Sequence, residues 1–380
     1  MSSNQSGHRT LRTDVVGSLL RPPDLLRARA AYEGGRLARQ DLRAVEDRAV
    51  SDAIRLQEAV GLDIATDGEM RRSSFYAHLL ESVDGLRPTT QAVPGQALRW
   101  HGPEASDAFR GARVQAAVVE PLRRRRAISQ DEFSFLQQHV TRAVPKVTLP
   151  APSFLDRYWV EGLSRGAYPT RESCLADWVA ILRDEVRELL AAGCRYIQFD
   201  APNYALLVDP ASRAVYGDPE ALLPFWAEAD NAVLAGLAAS IPGEEVLFAL
   251  HMCRGNAAGR WLAEGGYEAV EDAFRLLDHP RLLLEYDTDR AGDFAPLRAV
   301  PDATEVVLGL VSTKTPNLEP VDALVARIRE AAGHMALDRL AVSPQCGFAS
   351  VAEGNPITPE SQTLKLEAVV KAAHAAFPDL

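Results

Sequence analysis

The stretch that decides the fold is ESCLADWVAILRDEVRELLAAG, residues 172–193, followed directly by CRYIQFDAP, residues 194–202. Its first part repeats apolar residues at helical spacing and ends at Gly193, a residue type that commonly terminates helices. Its second part is a short, nearly continuous apolar run, which is typical of a strand covered on both faces. The stretch therefore predicts one helix–strand unit of a parallel α/β fold.

Seven other runs along the chain have the same apolar character, and amphipathic stretches such as 42–61 and 321–333 fill most of the gaps between runs. The eight predicted strands are 13–18, 62–68, 146–152, 195–202, 245–253, 281–288, 304–312 and 339–347. Eight strands alternating with helices predict a (β/α)8 TIM barrel. A doubly wound open sheet is the alternative, although no glycine-rich phosphate-binding motif follows the first run.

The predicted domain organisation is a flexible N-terminal tail, residues 1–12, and a single barrel domain, residues 13–380. The regular alternation breaks between about residues 70 and 142, where helical stretches surround a Pro/Thr/Gln-rich part. We interpret this segment as an insertion of mixed structure after the second strand. A length of 380 residues would also allow two domains, but no low-complexity linker divides the chain.

Composition and charge exclude several classes of protein. Hydrophobic residues make up 47% and charged residues 24% of the chain, which is ordinary for a globular protein and excludes a largely disordered one. The formal net charge of −11 argues against a partner with a polyanionic surface, so neither nucleic acid nor membrane is expected. The N-terminus carries no apolar signal segment, which predicts a cytoplasmic protein. Four cysteines form no disulfide framework in that compartment and are instead core thiols, metal ligands or catalytic thiols.

Two of these cysteines belong to a predicted metal site. Residues i and i+2 of a strand point to the same face, so His251 and Cys253 can reach one point together. Cys346 ends the eighth predicted strand and Glu285 lies on the sixth, at the barrel face where active sites form. Imidazole, thiolate and carboxylate groups are the usual ligands of zinc, and three protein ligands with one exchangeable position are typical of catalytic zinc. The sequence therefore predicts Zn²⁺ bound by these four residues.

The remaining cysteines, Cys174 and Cys194, lie in a predicted helix and at the start of a predicted strand. Neither position faces the carboxyl ends of the strands. Both are predicted to be core or surface thiols.

Several motifs together resemble the cobalamin-independent methionine synthase family, in particular its catalytic C-terminal barrel. The motifs are DVVGSLLRP at 14–22, DGE at 67–69, QFDAP at 198–202, HMCRGN at 251–256 and SPQCGF at 343–348. The resemblance covers nearly the whole chain. The chain has no room for the additional N-terminal barrel of full-length members, so it resembles a short, single-barrel relative.

The resemblance implies an activity and a set of ligands. It implies that zinc is bound by the His, Cys, Glu and Cys residues named above, and that an incoming thiol displaces the Glu285 oxygen. It further implies that Ser18, Glu69 and Asp200 hold the amino acid part of homocysteine. The reaction implied is transfer of a methyl group to this thiol from 5-methyltetrahydrofolate or a simpler donor, giving methionine. Zinc supports such a reaction because it lowers the pKa of a thiol, so that the nucleophilic thiolate exists at neutral pH.

The chain departs from the family pattern at three points. Ala201 stands where the family's DEP motif has a carboxylate, and Lys314 stands where its HSPN-like motif has a general-acid His. Lys314 and Asp200 are therefore the catalytic candidates, although an ordinary Lys, with a pKa near 10.4, is a weak proton donor at neutral pH. For the family's folate-stacking Trp, Tyr158 and Trp159 are near candidates. These departures concern the methyl donor more than the zinc and thiol.

Arg254 and Asn256 follow the predicted zinc ligands immediately. Both are candidates for binding an anionic group of the substrate. A structural role for Arg254, in which it pairs with a neighbouring Asp, is an equally compatible interpretation.

Three other functions remain open at this stage. The same zinc and thiol chemistry could open an epoxide or accept another alkyl group. A metal-free barrel decarboxylase of the uroporphyrinogen type would need neither Cys253 nor Cys346. A zinc- or thiol-binding protein with a closed site would have no enzymatic role. The expected partners are a small-molecule thiol and a methyl donor, and the sequence leaves a homo-oligomer open.

Overall fold

The computed structural model describes residues 10–90, 100–102, 116–241, 243 and 245–377. Its strands are β1 (Ile64–Ala65), β2 (Val83–Pro88), β3 (Ala116–Arg124), β4 (Val144–Pro145), β5 (Val147–Pro150), β6 (Tyr196–Asp200), β7 (Leu247–Met252), β8 (Arg281–Glu285), β9 (Glu305–Val311) and β10 (Leu340–Pro344). Its α-helices are α1 (Pro23–Glu33), α2 (Arg39–Val60), α3 (Ala77–Leu80), α4 (Gln130–His139), α5 (Pro152–Leu155), α6 (Glu161–Ser164), α7 (Arg171–Ala191), α8 (Pro202–Leu206), α9 (Pro210–Tyr216), α10 (Pro219–Leu234), α11 (Glu271–Leu276), α12 (Val321–Ala331) and α13 (Pro359–Ala376).

The parallel strands form a closed ring. β5, β6, β7, β8, β9 and β10 make a six-stranded parallel sheet in that order, and β1 pairs in parallel with β4, which continues into β5. The segment that begins at Thr13 pairs with Val342 of β10 on one side. On its other side, Leu19 N donates to Gly68 O at 3.1 Å and Thr66 Oγ1 donates to Gly17 O at 2.7 Å. The predicted TIM barrel is confirmed.

The first two strand segments are shorter than predicted. The first has an isolated bridge at Thr13 and the second has two residues of regular ladder. Here a side chain replaces part of the ladder, because Asp63 Oδ2 accepts hydrogen bonds at 3.0 Å from the N–H groups of Arg12 and Thr13. The backbone N–H groups of Arg12 and Thr13 thus find an acceptor without strand pairing. The regular strands are therefore shorter than the apolar runs from which they were predicted.

Two predicted helix ends are confirmed. α2 ends at Gly61, whose φ of +98° is left-handed, and Gly193 has a φ of +96° just after α7. Glycine adopts this conformation without the steric cost that a Cβ brings. Each helix therefore stops where the next strand has to begin.

The segment predicted as an insertion contains α3, an antiparallel hairpin of β2 and β3, and α4. Residues 91–99 and 103–115 of this segment lie outside the described residues, as do residues 1–9 of the predicted tail. At the end of that tail, the Arg12 guanidinium donates at 2.8 Å to the carbonyl oxygens of Asp338 and Leu340. Among the described helices, none is both long and apolar enough to cross a membrane.

The amino-terminal end of the barrel interior is polar. Lys146 Nζ donates at 2.7 Å to Asp14 Oδ1 and to Gln198 Oε1, and Arg281 Nη1 lies 3.3 Å from Asp14 Oδ2. These residues are at most 2% exposed. Burial lowers the pKa of Lys146. The network joins the first segment of the ring to strands β5, β6 and β8.

Candidate active site

Three potential metal ligands meet where the strands end. His251 lies in β7 and Cys253 follows that strand, while Cys346 lies two residues beyond β10. A nitrogen of His251 and the two sulfurs all lie within 4.8 Å of one another, and all three side chains are buried. The sulfurs are 3.9 Å apart. The two-residue spacing along a strand thus brings His251 and Cys253 together, and the barrel brings Cys346 to them from a neighbouring part of the ring.

This group of residues fits a zinc ion. Two sulfurs at about 2.3 Å from a tetrahedral zinc would lie about 3.8 Å apart, which is close to the distance observed. His251 Nδ1 lies 3.3 Å from Leu283 O, a contact that favours a proton on Nδ1 and leaves a lone pair on Nε2. Nε2 is buried and has no hydrogen-bond partner. A buried nitrogen without a partner beside two sulfurs is what a metal site requires.

The protonation states of the group are linked. The hydrogen bond between the sulfurs raises the pKa of Cys253 well above, and lowers that of Cys346 well below, the ordinary value of a thiol. Burial lowers the pKa of His251, but the neighbouring Cys346 sulfur outweighs this effect, so the pKa of His251 is raised overall. Cys346 is therefore the sulfur that loses its proton more readily, and a metal ion would displace the remaining protons.

Glu285, the fourth predicted ligand, is not part of this group. Its Oε1 accepts hydrogen bonds from Arg290 at 2.6 Å and from Lys314 Nζ at 3.2 Å, and its Oε2 accepts one from the N–H of Arg254 at 2.6 Å. The carboxylate lies near enough to act on the charges of His251 and Cys253. It could join a metal ion only by giving up one of these contacts.

Lys314 is turned toward carboxylates. Besides its contact with Glu285, its Nζ lies 3.7 Å from Asp287 Oδ2, and the residue is 4% exposed. Lys314 is not among the residues that line the cavity above the sulfurs. The position of the family's general acid is thus occupied by a buried cation that holds Glu285.

A cavity opens directly above the three ligands. Its empty volume, including the solvent at its mouth, is about 1020 Å³. His251, Cys253 and Cys346 line its floor, and polar residues predicted to bind the substrate line its wall: Ser18, Glu69, Asp200 and Asn256. The structure therefore brings seven of the ten predicted site residues to one cavity.

Glu69 reaches the cavity through an unusual backbone conformation. Its φ of +55° is left-handed, which few residues other than glycine adopt. Its Oε1 accepts a hydrogen bond from Thr148 at 3.0 Å, and its Oε2 is buried without a partner. A Cβ on Gly17 would lie 2.6 Å from Oε1, so glycine is needed there. Burial raises the pKa of Glu69, and the unpartnered oxygen is available to a cationic group.

Asp200 and Ser18 line the same cavity as His251, Cys253 and Cys346. Asp200 ends β6 and its Oδ1 accepts a hydrogen bond from Gln198 at 2.7 Å. Burial raises the pKa of Asp200 to about 7. Ser18 Oγ accepts a hydrogen bond from Ala349 N at 3.2 Å, and a Cβ on Gly347 would lie 2.1 Å from that oxygen. The glycine beside Cys346 therefore makes room for Ser18.

Asn256 lines the cavity, whereas Arg254 lies behind its wall. Asn256 Nδ2 donates at 2.8 Å to Gly347 O, while its buried Oδ1 has no partner and is free to accept. Arg254 does not line the cavity. Its guanidinium donates to the carbonyl oxygens of Gly265, Glu285 and Ala291, so it fixes the loops behind the wall. Its contacts correspond to a structural role, but the partners are carbonyl groups rather than the expected Asp.

Sequence reasoning missed the aromatic part of the cavity. Phe75, Tyr76, Trp100, Phe154 and Tyr216 line it. The sequence gives no local signal for this grouping, because three of these residues come from the predicted insertion and the other two from the short helices α5 and α9. The nearby candidates for stacking lie elsewhere: Tyr158 lines neither of the two principal cavities, and Trp159 lines the second one.

Cys174 and Cys194 are both buried and lie outside the ligand group. Burial raises the pKa of each thiol to about 12, so both stay protonated at neutral pH. They occupy the hydrophobic core, as predicted.

Known proteins are similar to this chain over most of its length. The family model described as cobalamin-independent synthase, catalytic domain, matches residues 11–128 and 162–374. The uncharacterized protein YxjH of Bacillus subtilis is 35% identical, over 96% of this chain and 94% of its own. The methionine synthase of Pyrococcus abyssi is 27% identical, over 89% of this chain and 86% of its own. The solved structure of a protein from Listeria monocytogenes, provisionally assigned as a vitamin B12-independent methionine synthase, is 26% identical, covers 96% of this chain and 97% of its own, and has a TM-score of 0.72.

The fold and the site define a class of protein: a TIM-barrel enzyme with a sulfur-containing ligand group at the carboxyl ends of its strands. The chain belongs to the cobalamin-independent methionine synthase family, whose catalytic domain it matches over most of its length. The predictions of this family and of a methionine synthase-like enzyme are confirmed.

Proposed function

We propose that this protein transfers a methyl group to the thiol of homocysteine, giving methionine, at a zinc ion held by His251, Cys253 and Cys346. The observation that carries the proposal is the meeting of two sulfurs and an unpartnered imidazole nitrogen on the floor of a large cavity. Relatives named methionine synthase support the choice of substrate. The zinc, when bound, supplies the positive charge that keeps the substrate thiol deprotonated at neutral pH.

The polar wall orients the amino acid part of the substrate in this proposal. Glu69 has a buried, unpartnered oxygen for the ammonium group, and Asp200 faces the same cavity. Ser18 can donate its hydroxyl proton to the carboxylate of the substrate. The aromatic side chains of the other wall exclude water from the reacting sulfur.

Proton transfer to the methyl donor falls to Asp200 in this proposal, and Lys314 acts through Glu285. Asp200 lines the cavity and has a pKa of about 7, which suits a group that gives up a proton near neutral pH. Lys314 holds the Glu285 carboxylate beside the ligand group. Glu285 is the proposed fourth donor and would be the group that a thiol replaces.

The proposal is tested by metal analysis and zinc X-ray absorption, with and without homocysteine. We expect stoichiometric zinc and a further sulfur ligand when homocysteine is added. Cys346→Ser should lower the zinc content. Cys194→Ser is the matched control, since this thiol is equally buried but lies outside the ligand group.

Two results would contradict the proposal. Full zinc content in the Cys346→Ser variant would show that Cys346 is not a zinc ligand. Zinc coordination that homocysteine leaves unchanged would indicate a closed site and a binding protein.

The methyl donor is identified by a separate assay. The zinc-loaded protein is incubated with homocysteine and either 5-methyltetrahydrofolate or a small methyl compound, and methionine is measured by mass spectrometry. A parallel reaction with an epoxide tests the alternative electrophile, because it uses the same thiolate. A thioether formed from the epoxide in place of methionine would favour that alternative.

A further inference from the structure

Arg21 lies where three segments that build the cavity meet. It belongs to the first segment of the ring and is 6% exposed. Its guanidinium donates to four backbone carbonyl oxygens: Nε to Arg72 O at 3.0 Å, Nη2 to Glu69 O at 3.1 Å, and Nη1 to Ala349 O at 2.9 Å and to Val351 O at 3.2 Å. One buried cation therefore joins the turn of Glu69 to the loop that follows Cys346.

The turn of Glu69 needs support because its backbone is strained. The φ of +55° at Glu69 is costly for a residue with a Cβ, and such conformations persist where the surroundings fix them. Asp67 Oδ1 accepts a hydrogen bond from the N–H of Glu69 at 2.9 Å, and Glu69 O accepts one from the N–H of Arg72 at 3.1 Å. Arg21 adds a charged hydrogen bond from another segment, at the residue that lines the cavity.

The loop on the other side of Arg21 lies against the sulfurs. Ser350, between the two carbonyl groups that Arg21 holds in this loop, lines the cavity, and its Oγ is 3.7 Å from Cys346 Sγ. Ser350 O accepts a hydrogen bond from the N–H of Phe75 at 3.3 Å. The loop is therefore fixed between Arg21 and the beginning of the predicted insertion, with Ser350 held beside a proposed metal ligand.

The chemistry of a guanidinium suits this role. Its donors lie in one rigid plane and point in fixed directions, so it can hold two segments at a set distance in a way that a flexible ammonium group cannot. Burial lowers the pKa of Arg21 to about 10, which leaves it protonated at neutral pH. Its charge acts together with that of Arg72 on the Glu69 carboxyl and opposes burial, which raises the pKa of that group. Arg21 therefore supports Glu69 both in position and in charge.

We propose that Arg21 is a positioning residue for the thiol substrate, which sets the Glu69 carboxylate for the ammonium group of an α-amino thiol at a fixed distance from the sulfurs. The proposal rests on the proposed methyl transfer to homocysteine. In that substrate the ammonium group and the thiol belong to one short molecule, so the groups that bind them must keep their separation. Arg21 acts through Glu69, since it is not among the described residues that line the cavity.

The test compares two thiols by calorimetric titration of the zinc-loaded protein. Homocysteine carries an ammonium group, and 4-mercaptobutyrate has the same thiol and carboxylate without it. We expect the wild type to bind homocysteine about 10- to 100-fold more tightly, since a charged hydrogen bond to Glu69 is gained. Arg21→Gln should reduce this preference to about 3-fold or less, because the carboxylate is no longer held in place. A purely structural role would change both affinities by the same factor and leave the preference as it is.

Glu69→Gln provides the reference for this measurement. It removes the charge that pairs with the ammonium group and should abolish the preference for homocysteine. The double variant Arg21→Gln, Glu69→Gln should show the same preference as Glu69→Gln alone, because Arg21 acts through Glu69. A further change in the double variant would show that Arg21 acts on the substrate independently and would overturn the proposal.

Arg29→Gln is the matched control. Arg29 donates to Arg72 O at 2.7 Å and to Met70 O at 2.8 Å, so its acceptors lie in the same turn but are neither Glu69 nor the loop after Cys346. This variant should lower the melting temperature and keep the preference for homocysteine. If Arg21→Gln does not fold, Arg21→Lys takes its place. The preference should fall there too, since an ammonium group keeps the charge but lacks the fork that holds both segments.

Three further results would overturn the proposal. They are an unchanged preference in a folded Arg21 variant, an equal loss of preference in Arg29→Gln, and a wild type that binds both thiols equally. The last result leaves the proposed methyl transfer standing if the sulfur of homocysteine still joins the zinc. The proposed methyl transfer fails instead if homocysteine leaves the zinc coordination of the wild type unchanged, a measurement that is independent of the Arg21 variants.

Discussion

At the scale of single residues, the fold raises the pKa of Asp200 into the neutral range. Its pKa of about 7 arises from burial at the end of β6, next to the ligand group. An Asp in an unfolded chain has a pKa near 3.9. The folded protein therefore keeps a proton on Asp200 over a range of pH in which the unfolded chain has lost it.

Replacing Asp200 by Asn should change how stability depends on pH. In the metal-free wild type, the free energy of unfolding should fall between about pH 4 and 7, by up to about 1.4 kcal/mol per pH unit, and then level off. Asparagine does not titrate, so the free energy of unfolding of Asp200→Asn should not show this fall. The difference between the variant and the wild type should therefore increase up to about pH 7 and stay constant at higher pH. Urea unfolding followed by circular dichroism, from pH 5 to 8, measures the difference. Asp184→Asn, at an exposed ion pair with Arg187, is the control, and a constant difference for Asp200→Asn would refute the assignment.

At the scale of elements, the close approach of β9 to its neighbours depends on Gly309. A Cβ at this position would lie 2.7 Å from Gln345 Cα and 2.8 Å from Leu284 O. Both atoms belong to the backbone and cannot turn away. The strand therefore needs glycine for packing, although its φ is not left-handed.

Gly309→Ala should destabilise the protein by about 1–3 kcal/mol, because the backbone around β9 must shift to accept the methyl group. It should also weaken zinc binding, since Gln345 directly precedes Cys346, the proposed ligand. Thermal unfolding and metal titration measure the two effects. Gly166→Ala is the matched control, because no atom lies within 4 Å of its added Cβ. An unchanged melting temperature for Gly309→Ala would show that the strands can move apart at no cost.

The element after β8 explains the position of Glu285. Arg290 lies in the short 3-10 turn Asp289–Ala291 and reaches back to Glu285 and Asp287. Lys314, from the loop after β9, reaches the same two carboxylates. Arg290 and Lys314 thus lie against the carboxylates of Glu285 and Asp287, and this network holds Glu285 near His251 and Cys253.

At the scale of the whole molecule, closure of the barrel depends on the polar network around Asp14. The first segment has little regular strand pairing, and Lys146, Gln198 and Arg281 connect it to the rest of the ring. Tyr196 also donates to Asp14. The network therefore does part of the work that ladder hydrogen bonds do elsewhere in the barrel.

Lys146→Met should lower the free energy of unfolding by about 3 kcal/mol, because it leaves the buried Asp14 carboxylate with fewer partners. The double variant Asp14→Asn, Lys146→Met should be less destabilised than Lys146→Met alone, since it removes that charge as well. Equilibrium urea unfolding gives both values. Lys371→Met, at an exposed pair with Glu367, should cost less than about 1 kcal/mol. If the changes in free energy of unfolding caused by Asp14→Asn and Lys146→Met simply add up in the double variant, the two side chains are not coupled.

The sequence by itself determined the barrel and the three residues that meet in the candidate metal site, His251, Cys253 and Cys346. Apolar runs of strand length and glycines such as Gly61 and Gly193 are local signals, and so is the two-residue spacing of His251 and Cys253. Cys346 followed from its position at a strand end, because all strands of a parallel barrel end at the same face.

Only the tertiary structure decided what each charged group does. It turned Lys314 and Arg290 toward Glu285 and placed Arg254 behind the cavity wall. These outcomes depend on which loops meet above the barrel and on which side chains are desolvated together. Neither is encoded in the spacing of residues along the chain, because the energy of a buried charge is set by neighbours that are distant in sequence.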